Sequence, residues 1–187
     1  AYSLYRSRRG DSALKVVIAG DGPSRDKLVR AIAGLGLEEM VQLRGAIGYD
    51  ALPAFYGLAS ALVLPSTVEQ WGLVVNEAMA AGLPVLVSNR CGCVAEIVRD
   101  GVNGHTFDPF DIEQISRALD VVHDEERCAA MGANSRRLIE SWSPQRFAAA
   151  FERAASYALA SPAPSFSFLD LLMVKMLARR PIPKDHR

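Results

Sequence analysis

The sequence predicts an α/β fold: a Rossmann-like, doubly wound parallel sheet followed by C-terminal helices. Three observations predict it. Short, apolar, β-branched runs alternate with helical stretches from residue 14 to residue 107. The runs are apolar throughout, as strands covered on both faces are. Beyond residue 111 the apolar period becomes helical and stays so to residue 160.

Each element has a local reason. Residues 14–19 form an apolar run broken by Gly20-Asp21-Gly22-Pro23, a strand ending in a turn. Ser24 is placed to cap a helix with Leu28, Val29 and Ile32 on one face, stopped by Gly34 and Gly36. Residues 41–44 form a second strand, and Asp50 is placed to cap a helix over 51–58. Residues 61–65 are a third strand. A loop and a helix over 73–81 follow, ending at Gly82. Residues 84–88 are a fourth strand, 93–99 a short helix and 104–107 a fifth strand. Helical periods cover 111–123, 125–141 and 145–160, and Ser143-Pro144 is a good helix start. Residues 161–164 read as a linker before an apolar segment over 166–178 closed by Arg179, Arg180 and Pro181. Tyr2, Leu4 and Tyr5 resemble the back half of a helix. A doubly wound domain opens on a strand, so its first strand is expected upstream of residue 1.

Composition excludes several classes. The 187 residues are half hydrophobic, enough for a core that hides roughly 70% of the unfolded surface. Twenty-one basic residues balance 21 acidic ones, which argues against a nucleic-acid partner and against a disordered acidic chain. No run of about 18 apolar residues is present, and the basic N-terminus lacks a signal-like apolar region. Three cysteines, two of them spaced Cys91-Gly92-Cys93, fit a reducing compartment, so a cytoplasmic setting is expected. No Cys/His spacing suits zinc. His105 reads as a structural histidine.

Ligands of open parallel sheets bind at the carboxyl ends of strands. Three segments fall there: Gly20 to Pro23, Pro65 to Gly72, and Ser88 to Gly92. The densest holds Glu69 in a loop and Glu77 in the first turns of the next helix. Gly72 lets the backbone come close to a ligand, and the amides of Gly72, Leu73 and Val74 are free donors at a helix start, a ready anion site. Carboxylates accept hydrogen bonds from vicinal hydroxyls. Phosphate on the amides with sugar hydroxyls on the glutamates describes a nucleotide-sugar.

These residues carry a family resemblance. Glu69-x7-Glu77, with Trp71-Gly72-Leu73 inside and Ala78-Met79-Ala80-Ala81-Gly82-x-Pro84 after it, resembles the signature of retaining GT-B glycosyltransferases of family-4 type, the glycosyl transferases group 1. Gly20-Asp21-Gly22-Pro23, Val41 to Gly45, Glu96-Ile97-Val98-x-x-Gly101-x-Asn103-Gly104 and Asp108-Pro109-x-Asp111 also match family motifs, so the likeness covers residues 10–158. It implies the donor-binding, C-terminal half of a two-domain enzyme, with residues 1–160 as the nucleotide-sugar-binding domain and 161–187 as a linker and amphipathic tail. Glu77 is implied to hold ribose hydroxyls and Glu69 the donor sugar. The amides near Trp71, Gly72, Leu73 and Val74 are implied to hold the diphosphate. The turn at Gly20 and Gly22 is implied to line the cleft, and the backbone of Arg44, Gly45 and Ala46 to edge the base. The acceptor domain and the family's Arg/Lys pair are expected upstream. Arg6, Arg8 and Arg9 lack the context to replace that pair, so the chain alone is expected to be inactive. No Asp-x-Asp is present, so neither metal nor other cofactor is implied; the nucleotide-diphospho-sugar is the donor substrate.

Two other readings exist: a binding module that keeps the fold without transfer, and a GT-B relative such as an epimerase, against which the Glu69–Glu77 spacing argues. The tail is read either as packing on the domain or its missing half, or as a surface helix that brings Lys175, Arg179 and Arg180 to anionic lipid at the inner face of a membrane.

Overall fold

The structure, a computed structural model, describes residues 1–161 and 167–178. The chain divides into two compact units, Ala1–Ser143 and Pro144–Arg187. The helix after Ser143 therefore belongs with the second unit, whereas the sequence placed the boundary at residue 160.

The first unit opens with α1 (Tyr2–Arg9) and a 3-10 turn, Gly10–Ser12. Strand β1 (Val16–Ala19) leads to α2 (Arg25–Gly34), then β2 (Val41–Gly45), α3 (Leu52–Leu58), β3 (Leu62–Leu64), α4 (Leu73–Ala80), β4 (Val85–Ser88), α5 (Val94–Ile97) and β5 (Gly104–Phe107). The helices α6 (Ile112–Ala118) and α7 (Glu125–Ile139) complete it. The alternation predicts all five strands, each to within two residues.

All strand pairs are parallel, but the strands form two sheets, β1-β2 and β3-β4-β5. Every residue of β4 is buried, whereas Val17 of β1 is 47% exposed.

β4 organises the core by its alternation. Val85 and Val87 join Val75, Ala78, Met79, Ile97 and Val98 on one face. Leu86 joins Tyr5, Phe107, Leu119, Val121 and Met131 on the other. Tyr5 is buried to 1% exposure, and its hydroxyl accepts from the Leu14 amide at 3.1 Å. That hydroxyl also shares a hydrogen bond with His123 Nε2, 2.7 Å away. One phenol thus ties α1 to the start of β1 and to the turn after α6.

The helix signals hold in part. Asp111 and Asp124 cap α6 and α7, accepting from the amides of Gln114 and Arg127. α2 closes as a Schellman motif, with Leu37 N–H on Ile32 O at 3.0 Å and Gly36 N–H on Ala33 O at 3.1 Å. The expected caps at Ser24 and Asp50 do not form: neither side chain receives a capping bond. Asp50 instead sits inside a 3-10 turn, Tyr49–Ala51, that precedes α3. The helix expected over 111–123 tightens to 3-10 geometry at Leu119–His123, which carries His123 onto Tyr5.

In the second unit, α8 (Pro144–Ala160) begins at the expected proline, and α9 (Phe168–Ala178) occupies the apolar tail. No helix among the described residues is long and apolar enough to cross a membrane. Arg179 and Arg180 lie outside the described residues.

Candidate donor site

Two clusters form at the carboxyl ends of the strands. The first lies beyond β1 and β2. Gly20 N–H donates to Gly45 O at 2.7 Å, joining the glycine turn to the end of β2. The register pairs Ile18 with Leu43 and Ala19 with Gly45, so Arg44 is stepped over and its backbone leaves the ladder. Asp21 Oδ1 accepts from the Gly22 amide at 2.8 Å and holds the turn. Ala46 is exposed just beyond. Arg25, in the first turn of α2, brings its guanidinium to Gly45. No motif marked that arginine in the sequence.

The second cluster surrounds the start of α4. The loop from Glu69 to Trp71 is latched to the segment after β4: Gly92 N–H donates to Glu69 O at 3.0 Å and Cys93 N–H to Trp71 O at 3.1 Å. Glu69 and Cys91 thereby pair as a parallel bridge, a continuation of the sheet past its strand ends. The approach is so close that a Cβ on Gly92 would lie 1.9 Å from Gln70 O. Only glycine fits there.

Gly72 turns the chain from this loop into α4. Its φ of 97° lies in the left-handed region, and a Cβ would meet Leu64 Cδ2 at 3.1 Å and Glu69 Cγ at 3.5 Å. As N-cap it offers no side chain to the helix, so the first-turn amides of Leu73 and Val74 have neither a side-chain cap nor an intrahelical acceptor. The side chains of both residues are exposed.

Glu69 Oε1 accepts from the Trp71 amide at 3.3 Å. The Trp71 amide thus faces the loop's own carboxylate, and Leu73 and Val74 are the open donors. The Trp71 side chain is committed to protein contacts. Its Nε1 donates to Asn76 Oδ1 at 3.0 Å, and its ring lies 5.3 Å from that of Trp142. Glu77, one turn into α4, is half-buried, and its Oε2 accepts from the Tyr56 hydroxyl at 2.7 Å. Neither Tyr56 nor Asn76 stood out in the sequence. Each is a lone polar group in an apolar helical period, and its partner is fixed only by the fold.

Cys91 and Cys93 lie buried beneath the loop. Burial, with Cys91 and Glu69 adding to it, pushes the Cys93 thiol up to about 11. Burial chiefly, then Glu69, raises Cys91 as well. Both stay protonated and unreactive at neutral pH. Mass spectrometry after brief native alkylation at pH 8 is expected to find Cys128, which is half-buried, modified before either. Linkage fixes the sign of the pH effect. The unfolded Cys93 thiol ionises near 9.0 and the folded one near 11, so stability is full below pH 9 and falls as pH rises toward 11.

Several of the other basic groups, with His105, have structural partners among the described residues. Arg6 donates to Gly36 O, and Arg8 and Arg9 pair with Asp120 at 3.1 and 2.8 Å. His105 lies between Asp100 and Arg127. Arg127 is donor only, so Nε2 accepts from it and Nδ1 carries the proton toward Asp100. Arg90, at the end of β4, lies over the Phe110 ring at 5.4 Å.

A family model, glycosyl transferases group 1, matches residues 3–138. The chain belongs to this family. This group 1 glycosyltransferase chain is 36% identical over 146 residues to a GDP-mannose-dependent alpha-(1-6)-phosphatidylinositol monomannoside mannosyltransferase of Mycolicibacterium smegmatis, covering 73% of the chain and 37% of that protein. Its fold is similar to that of the C-terminal domain of a glycosyl transferase group 1 family protein, LpcC, from Francisella tularensis. That match has a TM-score of 0.65 at 23% identity and covers 75% of each chain. It is also similar to Anabaena HepE in complex with UDP, with a TM-score of 0.68 at 23% identity, covering 86% of this chain and 44% of that one. The fold is the GT-B type expected from the motifs. The chain spans about a third of the length of the curated relatives it matches.

Proposed function

We propose that this group 1 glycosyltransferase chain is the donor-binding half of a retaining enzyme that moves a sugar from a nucleotide-diphospho-sugar to a glycan or lipid-linked acceptor. The observation that carries the reading is the start of α4. Two uncapped amides, Leu73 and Val74, open between the loop carboxylate Glu69 and the helix carboxylate Glu77. The amides and the positive end of the helix suit a diphosphate, and stabilise it further as it leaves with an added charge. Glu77 suits the ribose and Glu69 the donor sugar. The backbone at Arg44, Gly45 and Ala46, with the turn at Gly20 and Gly22, suits the base.

Transfer proceeds without a metal on this reading, since the sequence has no Asp-x-Asp and the amides meet the diphosphate charge. The acceptor is held by a separate domain, and the chain by itself binds donor without transferring it. A UDP complex of a structural neighbour and the lipid named in a relative's activity support the donor and acceptor classes. The setting is cytoplasmic, in polysaccharide or glycolipid synthesis. NMR of the product made when the donor half and its acceptor domain act together tests retention: the transferred sugar keeps the donor's anomeric configuration. An inverted product contradicts it.

The tail fits a lipid surface at the inner face of a membrane. In α9, Phe168, Leu169, Leu171, Leu172, Met173, Val174 and Met176 are all exposed, and the sequence then runs through Arg179, Arg180, Lys184 and Arg187. An apolar helix followed by basic residues suits anionic headgroups. The chain is expected to co-sediment with vesicles of anionic phospholipid at low salt and to release in part at high salt. Equal recovery with neutral vesicles, or none with either, would exclude that surface.

A further inference from the structure

We propose that Tyr56 is a positioning residue that sets the Glu77 carboxylate for the vicinal hydroxyls of a ribose, and so fixes the preference for ribonucleotides over 2′-deoxyribonucleotides. The proposal rests on the donor-site reading given above.

Tyr56 sits on α3, before β3, and Glu77 on α4, after it. The hydroxyl reaches across to Oε2 at 2.7 Å, the length of a charge-assisted bond. The ring packs half-buried against the core cluster of Val75, Ala78 and Met79, so the donor is anchored by its ring. Burial, and then the bond to Glu77, hold the phenol protonated well beyond its ordinary range, so it donates at every working pH.

A free glutamate side chain gives up rotamer freedom when it binds. Tyr56 takes that freedom away in advance and leaves the other acceptor positions open. A carboxylate offers about four lone-pair directions, and one phenol uses one of them. The rest suffice for a 2′- and a 3′-hydroxyl together, provided the carboxylate is held at one angle. A carboxylate free to rotate can still meet one hydroxyl but has no fixed preference for two. Tyr56 therefore acts on the difference between ribose and 2′-deoxyribose more than on nucleotide binding as a whole.

Saturation-transfer NMR of the full 187-residue chain first shows which of UDP, GDP and ADP binds. That diphosphate and its 2′-deoxy counterpart are then titrated into the parent and into Tyr56→Phe, with circular dichroism melts confirming that both are folded. The parent is expected to favour the ribose form by about tenfold or more, the scale of one hydrogen bond to a charged group. Tyr56→Phe is expected to bind the ribose form about tenfold more weakly while its affinity for the deoxy form changes less than about threefold, so the ratio collapses. A merely structural role lowers both affinities together and preserves the ratio; a preserved ratio overturns the proposal for Tyr56 and leaves the role of Glu77 standing. A parent without any ribose preference overturns the role of Glu77 and this proposal with it. Failure of all three diphosphates to bind at millimolar concentration overturns the donor-site reading itself.

Discussion

Gly92→Ala is expected to detach the Glu69 loop from the sheet and to weaken nucleotide binding without changing any group that touches the nucleotide. The added methyl carbon would stand 1.9 Å from Gln70 O. That oxygen belongs to the backbone, so no side chain can rotate away to make room. Either the 91–93 segment or the loop must move by more than an ångström. Two bonds then stretch, Gly92 N–H to Glu69 O and Cys93 N–H to Trp71 O. Overpacking of this kind costs about 1–3 kcal/mol. The damage to function is larger than the damage to stability, because a displacement of about 1 Å at a site costs on the order of a hundredfold. Thermal melts and nucleotide titration of the same sample check both parts. A variant with unchanged affinity would show that the latch does not set the site.

Glu77→Ala and Glu69→Ala are expected to separate. On the proposed reading Glu77→Ala removes a charged acceptor from the ribose, and hydrogen bonds to charged groups are worth about 1.5–3 kcal/mol each. Affinity for the nucleotide diphosphate is therefore expected to fall by about thirtyfold or more. The variant also leaves the Tyr56 hydroxyl without its partner, but that group is half-buried and can find water. Glu69 lies in the loop ahead of Gly72, where the proposed function puts the donor sugar. Glu69→Ala is expected to leave free-nucleotide affinity within about twofold, and to lower transfer by on the order of a hundredfold when the acceptor domain is present. Isothermal titration with the nucleotide diphosphate, and transfer assays with the proposed acceptor domain present, read the two effects. Equal loss of nucleotide affinity in both variants would merge the two roles and contradict the assignment.

The strands were legible because their signal is local. Val85, Leu86, Val87 and Ser88 are wholly buried, and a run of apolar residues bounded by Pro84 and Asn89 says so without the fold. The caps at Asp111 and Asp124 are as local, with donor and acceptor three residues apart, but the sequence analysis assigned neither. What the sequence hid is pairing over distance. The division into β1-β2 and β3-β4-β5 depends on which strand edges meet, and no local run of residues encodes that. The helix over 111–123 was overextended because periodicity cannot see that Tyr5 holds His123 in a tighter turn. At the site, Glu69, Gly72 and Glu77 carried the motif, whereas Tyr56, Asn76 and Trp142 act through contacts that only the packed core creates. Gly92 closes the Ser88 to Gly92 segment expected at a strand end; its close approach to Gln70 comes from a loop far from it in sequence.

Saturation-transfer NMR of this chain with UDP, GDP and ADP, with Glu77→Ala beside it, tests the central claim most directly. One nucleotide diphosphate is expected to show saturation transferred to its ribose protons in the parent and none in the variant at the same concentration. Equal signals from the parent and Glu77→Ala, or no signal from any of the three, would contradict a donor site at the start of α4.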